Sequence, residues 1–382
     1  MSVPPLPLTP GSCPPSPHGG DGMKPGRLGA LLGLAHPIVQ GPFGGGLSSV
    51  ALAVAVAEGG GLGSYGAHIL EPDRITETVG ELKAGTGRAF AVNLWVPQPG
   101  EPGPHPDRAE WARHADRLRP YYEELGLPWP PEAPAAGTPD FDDQVDALLA
   151  AQPPAISFVM GIPPRRVFDE ARRRGIVLIG TATTVDEAVA LEEAGFDVVV
   201  ASGSDAGGHR GAFLRPVHES LVGTFSLVPQ VADAVSVPVV AAGGIADGRG
   251  IAAALTLGAD AVQIGTGFLA THESGASEIH RQTLRTPQAR TTVLTRLFSG
   301  RTARGIPNRF VRDMSAHEND VPPYPLQNTL MRPIRQAAAD QGKADYVNLW
   351  AGQAAALAGA PHADQYLTDL LKATEQALAA RP

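Results

Sequence analysis

The sequence predicts an α/β fold: a (β/α)8 TIM barrel with a smaller, mostly helical second lobe. Eight short apolar runs, many of them β-branched, alternate with helical patterns between residues 37 and 265. The runs show no polar alternation, as expected of parallel strands buried on both faces. The last two close on glycine-rich turns, at the strand ends where barrel enzymes hold their ligands. A doubly wound open sheet is the runner-up, but that architecture uses fewer strands.

Taken in order, residues 1–26 contain eight prolines and five glycines, half the segment, and read as a disordered leader. Residues 27–275 form the barrel. Its runs are Pro37–Gly41, Gly61–Tyr65, Ala89–Val96, Ala155–Met160, Ile176–Gly180, Asp197–Ser202, Pro238–Ala242 and Ala261–Gly265. Ser48–Ala57, Val185–Ala194 and Gly248–Leu257 are among the helical patterns between them. A surface insertion at about residues 97–140 has two proline clusters around a charged helical stretch, Asp107–Leu125, interrupted at Pro120. Residues 276–382 make the helical lobe and end in a closing helix, Ala363–Ala379. Its leucines 367, 370, 371 and 378 are spaced to pack on the barrel wall.

Composition narrows the class. The 45 glycines and 37 prolines are an excess over ordinary proteins, but a hydrophobic fraction of 43% is too high for a disordered chain. A net charge of −9 argues against nucleic acid as a partner. One cysteine, Cys13, excludes a disulfide framework and an iron–sulfur cluster. No apolar run approaches a membrane span, and the expected setting is cytoplasmic, as a monomer or homodimer. The eleven histidines show no metal-ligand spacing, so no metal is expected.

Run seven closes as Ala241-Ala-Gly-Gly-Ile-Ala-Asp247 and run eight as Gln263-Ile-Gly-Thr-Gly-Phe268. Gly243, Gly244, Gly265 and Thr266 stand at the usual phosphate position of the fold, where bare backbone N–H groups bind an anion. Gly61-Leu-Gly-Ser-Tyr-Gly66 fits a dinucleotide pattern in spacing only, because it follows a helix and is itself a strand. After run six the chain reads Ala201-Ser-Gly-Ser-Asp-Ala-Gly-Gly-His-Arg-Gly211. This presents a single histidine, His209, on a glycine-rich turn one strand from the anion site. His209 is the candidate acid–base residue.

At these residues the chain resembles the nitronate monooxygenases, formerly 2-nitropropane dioxygenases, which are FMN-dependent (β/α)8 enzymes. Their sixth-strand pattern A-Q-G-x-E-A-G-G-H-R-G aligns with Ala201–Gly211. Similar patterns occur at Pro37–Gly46, Val92–Trp95, Gly258–Thr266, Ser299–Gly305 and Tyr324–Asn328, so the resemblance spans roughly residues 27–355. It implies an FMN phosphate against Gly243, Gly244, Gly265 and Thr266, with Gly207 and Gln263 nearby. The flavin ring would lie near Pro42, Phe43, Asn93 and Ser202, with His209 and Tyr324 on the substrate. The implied partners are a nitronate or nitroalkane and O2. In that family the histidine deprotonates neutral nitroalkanes, and a protonated His209 would also attract the anionic nitronate. Three positions depart from the pattern: Ser202 replaces glutamine, Asp205 replaces glutamate, and Val159 replaces histidine in Ser157-Phe-Val-Met-Gly161.

Two related activities compete, a flavin-dependent enoyl-[acyl carrier protein] reductase using NAD(P)H and a specialised flavin oxidase of a biosynthetic pathway. IMP dehydrogenase-like barrels need a loop cysteine that Cys13 does not supply. A flavin- or ligand-binding barrel without turnover is the non-enzyme alternative, against which the retained His209 argues.

Overall fold

In the computed structural model the described residues are 25–98, 108–129 and 139–380. Residues 1–24 of the expected leader and most of both proline clusters lie outside them. Gly26 already opens a helix, Gly26–Leu32.

Eight parallel strands form the barrel: β1 (Ile38–Gln40), β2 (Gly63–Gly66), β3 (Phe90–Trp95), β4 (Ala155–Val159), β5 (Val177–Ala182), β6 (Val198–Ser202), β8 (Val239–Ala242) and β9 (Ala261–Ile264). The intervening β7 (Gly208–His209) belongs elsewhere. The neighbour order is β1-β9-β8-β6-β5-β4-β3-β2, and a parallel bridge between Val39 and Leu62 brings β1 back to β2. Every barrel strand falls within a residue or two of an apolar run. The runs need no alternation because both faces are apolar: Val39, Ala91, Ile179, Val200 and Val240 fill the interior. Their outward neighbours Ile38, Val92, Leu178, Val199 and Val239 pack under the helices.

The helices start where the sequence supplies caps. Thr184 Oγ1 accepts from the Glu187 amide, and Asp247 accepts from the Arg249 and Gly250 amides, opening Val185–Ala194 and Gly248–Thr256. Each such cap contributes about 1 kcal/mol. Pro120, expected to interrupt a helix, instead sits in the first turn of Arg119–Glu124, where its missing N–H costs nothing; the break falls at Arg117–Leu118.

A second core lies over the barrel mouth. It joins Phe298, Phe310, Leu330, Met331 and Tyr346 to Trp111, Leu118 and Tyr122, so the helices inside the expected insertion share the second lobe's interior. This lobe also holds two short strands, β10 (Val293–Thr295) and β11 (Ala303–Gly305). With β7 they form a three-stranded antiparallel sheet.

The closing helix spans Ala363–Ala379, as its leucine spacing predicts, and buries Leu367 and Leu370. Tyr366 Oη donates to the Ala246 carbonyl at 2.7 Å. Gly248 and Gly267 have no room for a Cβ, because the Ala373–Thr374 backbone and the Tyr366 hydroxyl lie against them. Leu367→Ala should cost about 2–4 kcal/mol and Tyr366→Phe about 1 kcal/mol, read from denaturant midpoints. An unchanged midpoint for Leu367→Ala would mean that the helix adds no stability to the barrel.

Candidate active site

The C-terminal ends of the barrel strands and the second lobe enclose one mouth. β7 is the hinge of this arrangement. His209 pairs with Ala303 and Gly208 with Arg304, and the Arg210 amide donates to the Thr302 carbonyl at 2.9 Å. The histidine that follows β6 in sequence is therefore held by a strand about ninety residues later.

Two buried arginines brace the turn before it. Arg210 Nη1 and Nη2 donate to the carbonyls of Gly203 and Ser202 at 2.7 and 2.8 Å, and Arg304 Nε donates to that of Ser204 at 2.8 Å. Three consecutive carbonyls are thus captured. Asp205 accepts from the Thr224 amide at 2.7 Å, which ties the turn to the helix Thr224–Ala234.

His209 Nε2 lies 2.8 Å from Ser299 Oγ. Trp95, at the end of β3, presents its ring at 4.9 Å, and Trp350 does so at 5.4 Å on another side. Trp95 in turn stacks flat on His68 at 3.7 Å. The Arg301 guanidinium lies 5.3 Å from the Trp95 ring and 4.3 Å from that of Tyr324. It also approaches Met160 Sδ at 2.7 Å. Met160 has a φ of +70°, a strained backbone for a side chain of its size. Arg335, on the helix Leu326–Asp340, is tethered through Nη2 to Asn328 Oδ1 at 2.9 Å.

Burial sets the charges. It pulls the His209 imidazole down to about 3, with Arg335 pushing the same way. His68 is also pulled down to about 3, by burial first and then by His209 and Arg301. Burial lowers Arg301 and Arg335 to about 10, which leaves both cationic at neutral pH. The positive charge at the mouth therefore resides on the arginines, and the His209 imidazole is neutral.

The expected site residues meet at this mouth. Asn93 points into the barrel and donates to Ser157 Oγ at 3.0 Å. Gln263 lines the barrel interior with Ser157 and Ser64, Ser202 ends β6, and Pro42 and Phe43 follow the C-terminal end of β1. Val159 fills the family's histidine position and packs against Gly211, leaving a smaller, apolar wall there.

The glycines of the candidate phosphate site cluster at these strand ends, packed closely against neighbouring backbone. Gly243 has a φ of +111°, and a Cβ on it would come within 2.7 Å of Thr224 Oγ1 and 2.9 Å of the Ala206 amide nitrogen. Gly244 continues the turn at a φ of +66°. A Cβ on Gly207 would overlap the backbone of Ala351 and Gly352, and Gly265 opens toward Phe43. Thr266 Oγ1 accepts from the Gly352 amide at 2.9 Å.

Sequence reasoning missed the Trp350–Gly352 wall, His68, Arg335 and the part played by Ser299. His68 had a usable signal, since it stands two residues past a barrel strand's C-terminal end. Arg335 had none, because its helix looks like any other amphipathic helix in sequence.

A family model described as nitronate monooxygenase matches residues 26–373. A probable nitronate monooxygenase of Staphylococcus aureus (strain Newman) is 39% identical over 92% of this chain and 97% of its own length. Among solved structures, the nitroalkane oxidase from Streptomyces ansochromogenes matches with a TM-score of 0.82 and 39% identity, covering 92% of this chain and 99% of that one. FabK from Thermotoga maritima matches with a TM-score of 0.72 and 30% identity, covering 93% and 97%.

His68, His209 and His280, the last pulled down to about 4 by burial, are neutral in the folded protein. Their folded values lie below the ordinary 6.5, so unfolding takes up protons below that pH. Stability is full above pH 6.5 and falls as pH drops toward 4. The loss is about 1.4 kcal/mol per pH unit for each histidine. Denaturant midpoints at pH 7 and pH 5 check this, and equal midpoints would contradict the burial of these rings.

Proposed function

The chain belongs to the nitronate monooxygenase family, a family of flavin-dependent oxidoreductases, and from that premise we propose that it uses FMN and O2 to convert alkyl nitronates to carbonyl compound and nitrite. Neutral nitroalkanes enter the same route once His209 has removed their α-proton. The observation that carries this reading is a neutral imidazole at the mouth, hydrogen-bonded to Ser299 and facing the Arg335 guanidinium, with that of Arg301 across the Trp95 ring.

The cradle of Gly207, Gly243, Gly244, Gly265 and Thr266 would hold the FMN phosphate on backbone N–H groups. Asn93, Ser202, Gln263, Pro42 and Phe43 would flank its ring. FMN, when bound, supplies the electron transfer that lets the nitronate react with O2, and the protein supplies orientation and electrostatics. His209 takes the proton as the Cα–H bond breaks, and the bonding pair moves into the nitro group to give the nitronate anion. Arg301 and Arg335 favour that anion electrostatically in a site shielded from water, where charge interactions are strong. Tyr324, stacked under Arg301, forms a wall of the substrate space. On this reading the protein acts on free small molecules in the cytoplasm, as a monomer or homodimer.

His209→Asn should keep its FMN spectrum and lose roughly 100-fold or more in kcat/KM on a neutral nitroalkane. Preformed nitronate should be far less affected. Oxygen uptake without NAD(P)H measures both. Wild-type turnover of nitroalkane by the variant would remove His209 as the base. Rapid bleaching of the wild-type flavin by NADPH would replace the whole reading with that of a reductase.

A further inference from the structure

We propose that Ser299 is a positioning residue that holds His209 as its Nε2–H tautomer, so that Nδ1 is the nitrogen receiving the substrate proton. The inference rests on His209 being the base, and it adds which nitrogen acts and what decides it.

A serine hydroxyl has one proton to donate. Ser299 Oγ stands 3.1 Å from the Arg301 carbonyl, an acceptor in its own turn, and takes a hydrogen bond from the Arg301 amide at 3.3 Å. With its proton directed to that carbonyl, Oγ meets His209 as an acceptor, and the 2.8 Å contact then requires the hydrogen to sit on Nε2. Nδ1 has no partner among the described residues and keeps a free lone pair. The reverse arrangement would leave the Arg301 carbonyl without the hydroxyl and put a proton on Nδ1. The ring would then have no lone pair free to accept a proton.

The serine has little freedom to turn away. It is 1% exposed. The next residue, Gly300, has a φ of +84°, and a Cβ there would meet the Pro322 carbonyl oxygen at 2.5 Å. The turn is thus pressed onto the Pro322–Tyr324 segment. On the other side, the pairing of His209 with Ala303 fixes the distance between ring and hydroxyl through the backbone.

Trp95 of β3, Trp350, and Arg335 of the helix Leu326–Asp340 face the imidazole, with His68, Arg301 and Tyr324 beyond Trp95. When the substrate Cα–H bond breaks, the proton goes to Nδ1 and the electron pair to the nitro group. The imidazolium then carries two N–H groups, and its Nε2–H bond to Ser299 becomes charge-assisted and stronger. Ser299 therefore assists the transition state as well as orienting the ring.

The test uses FMN-bound protein labelled with 15N in histidine. Long-range proton–nitrogen correlations distinguish the two tautomers, and loss of signals in His209→Asn assigns the ring. An Nε2–H pattern is expected, and an Nδ1–H pattern would overturn the proposal. Ser299→Ala should lose roughly tenfold or more in kcat/KM on neutral nitroalkane. It should stay within about threefold of wild type on preformed nitronate, with an unchanged flavin spectrum. Ser299→Thr should restore most of the loss. Equal losses on both substrates would reduce Ser299 to a structural role and refute the proposal. If His209→Asn deprotonates nitroalkane normally, the base assignment fails on kinetics alone, whatever tautomer the spectrum shows.

Discussion

The antiparallel pairing of Gly208–His209 with Ala303–Arg304 is the contact on which the mouth depends. A barrel strand can deliver a residue to its C-terminal end, but the chain beyond it is a glycine-rich turn with little to hold it. Pairing with a strand of the second lobe supplies the missing hydrogen bonds. Arg210 and Arg304 then draw the carbonyls of residues 202–204 to one side. His209, the turn over Gly243 and the second lobe are consequently fixed together, and none could shift without breaking hydrogen bonds in the others.

The same enclosure produces the electrostatics. Groups crowded at the mouth lose water, and desolvation penalises their charged forms. A histidine begins near 6.5 and is driven to neutrality, while an arginine starts so high that it stays charged after a similar loss. One physical effect thus yields a neutral imidazole beside fixed cations.

Of the three departures from the family pattern, Asp205 sits in the turn beside Gly244, where it accepts from the Thr224 amide, and the other two are Ser202 and Val159. Ser202 offers a shorter reach than glutamine, and Val159 places a methyl group against Gly211 where a histidine would bring a ring. The glycines at the strand ends and His209 itself are kept.

The barrel could be read from the sequence because its cause is local: eight runs without alternation can only be buried on both faces. The glycine-rich ends of β8 and β9 and the glycines around His209 were legible for the same reason, since backbone without Cβ is a property of residue type. His68, Arg335 and the Trp350–Gly352 wall were not legible. Nor was the entry of Trp111 and Tyr122 into the second lobe's core. These depend on contacts between segments far apart in the chain, and no local pattern encodes which helix face will turn toward which strand end. The barrel, the flavin-family motifs and the single histidine on the turn follow from the residues in order. That histidine's charge and its hydrogen-bond partner follow from packing, because they are set by desolvation and by a strand about ninety residues away.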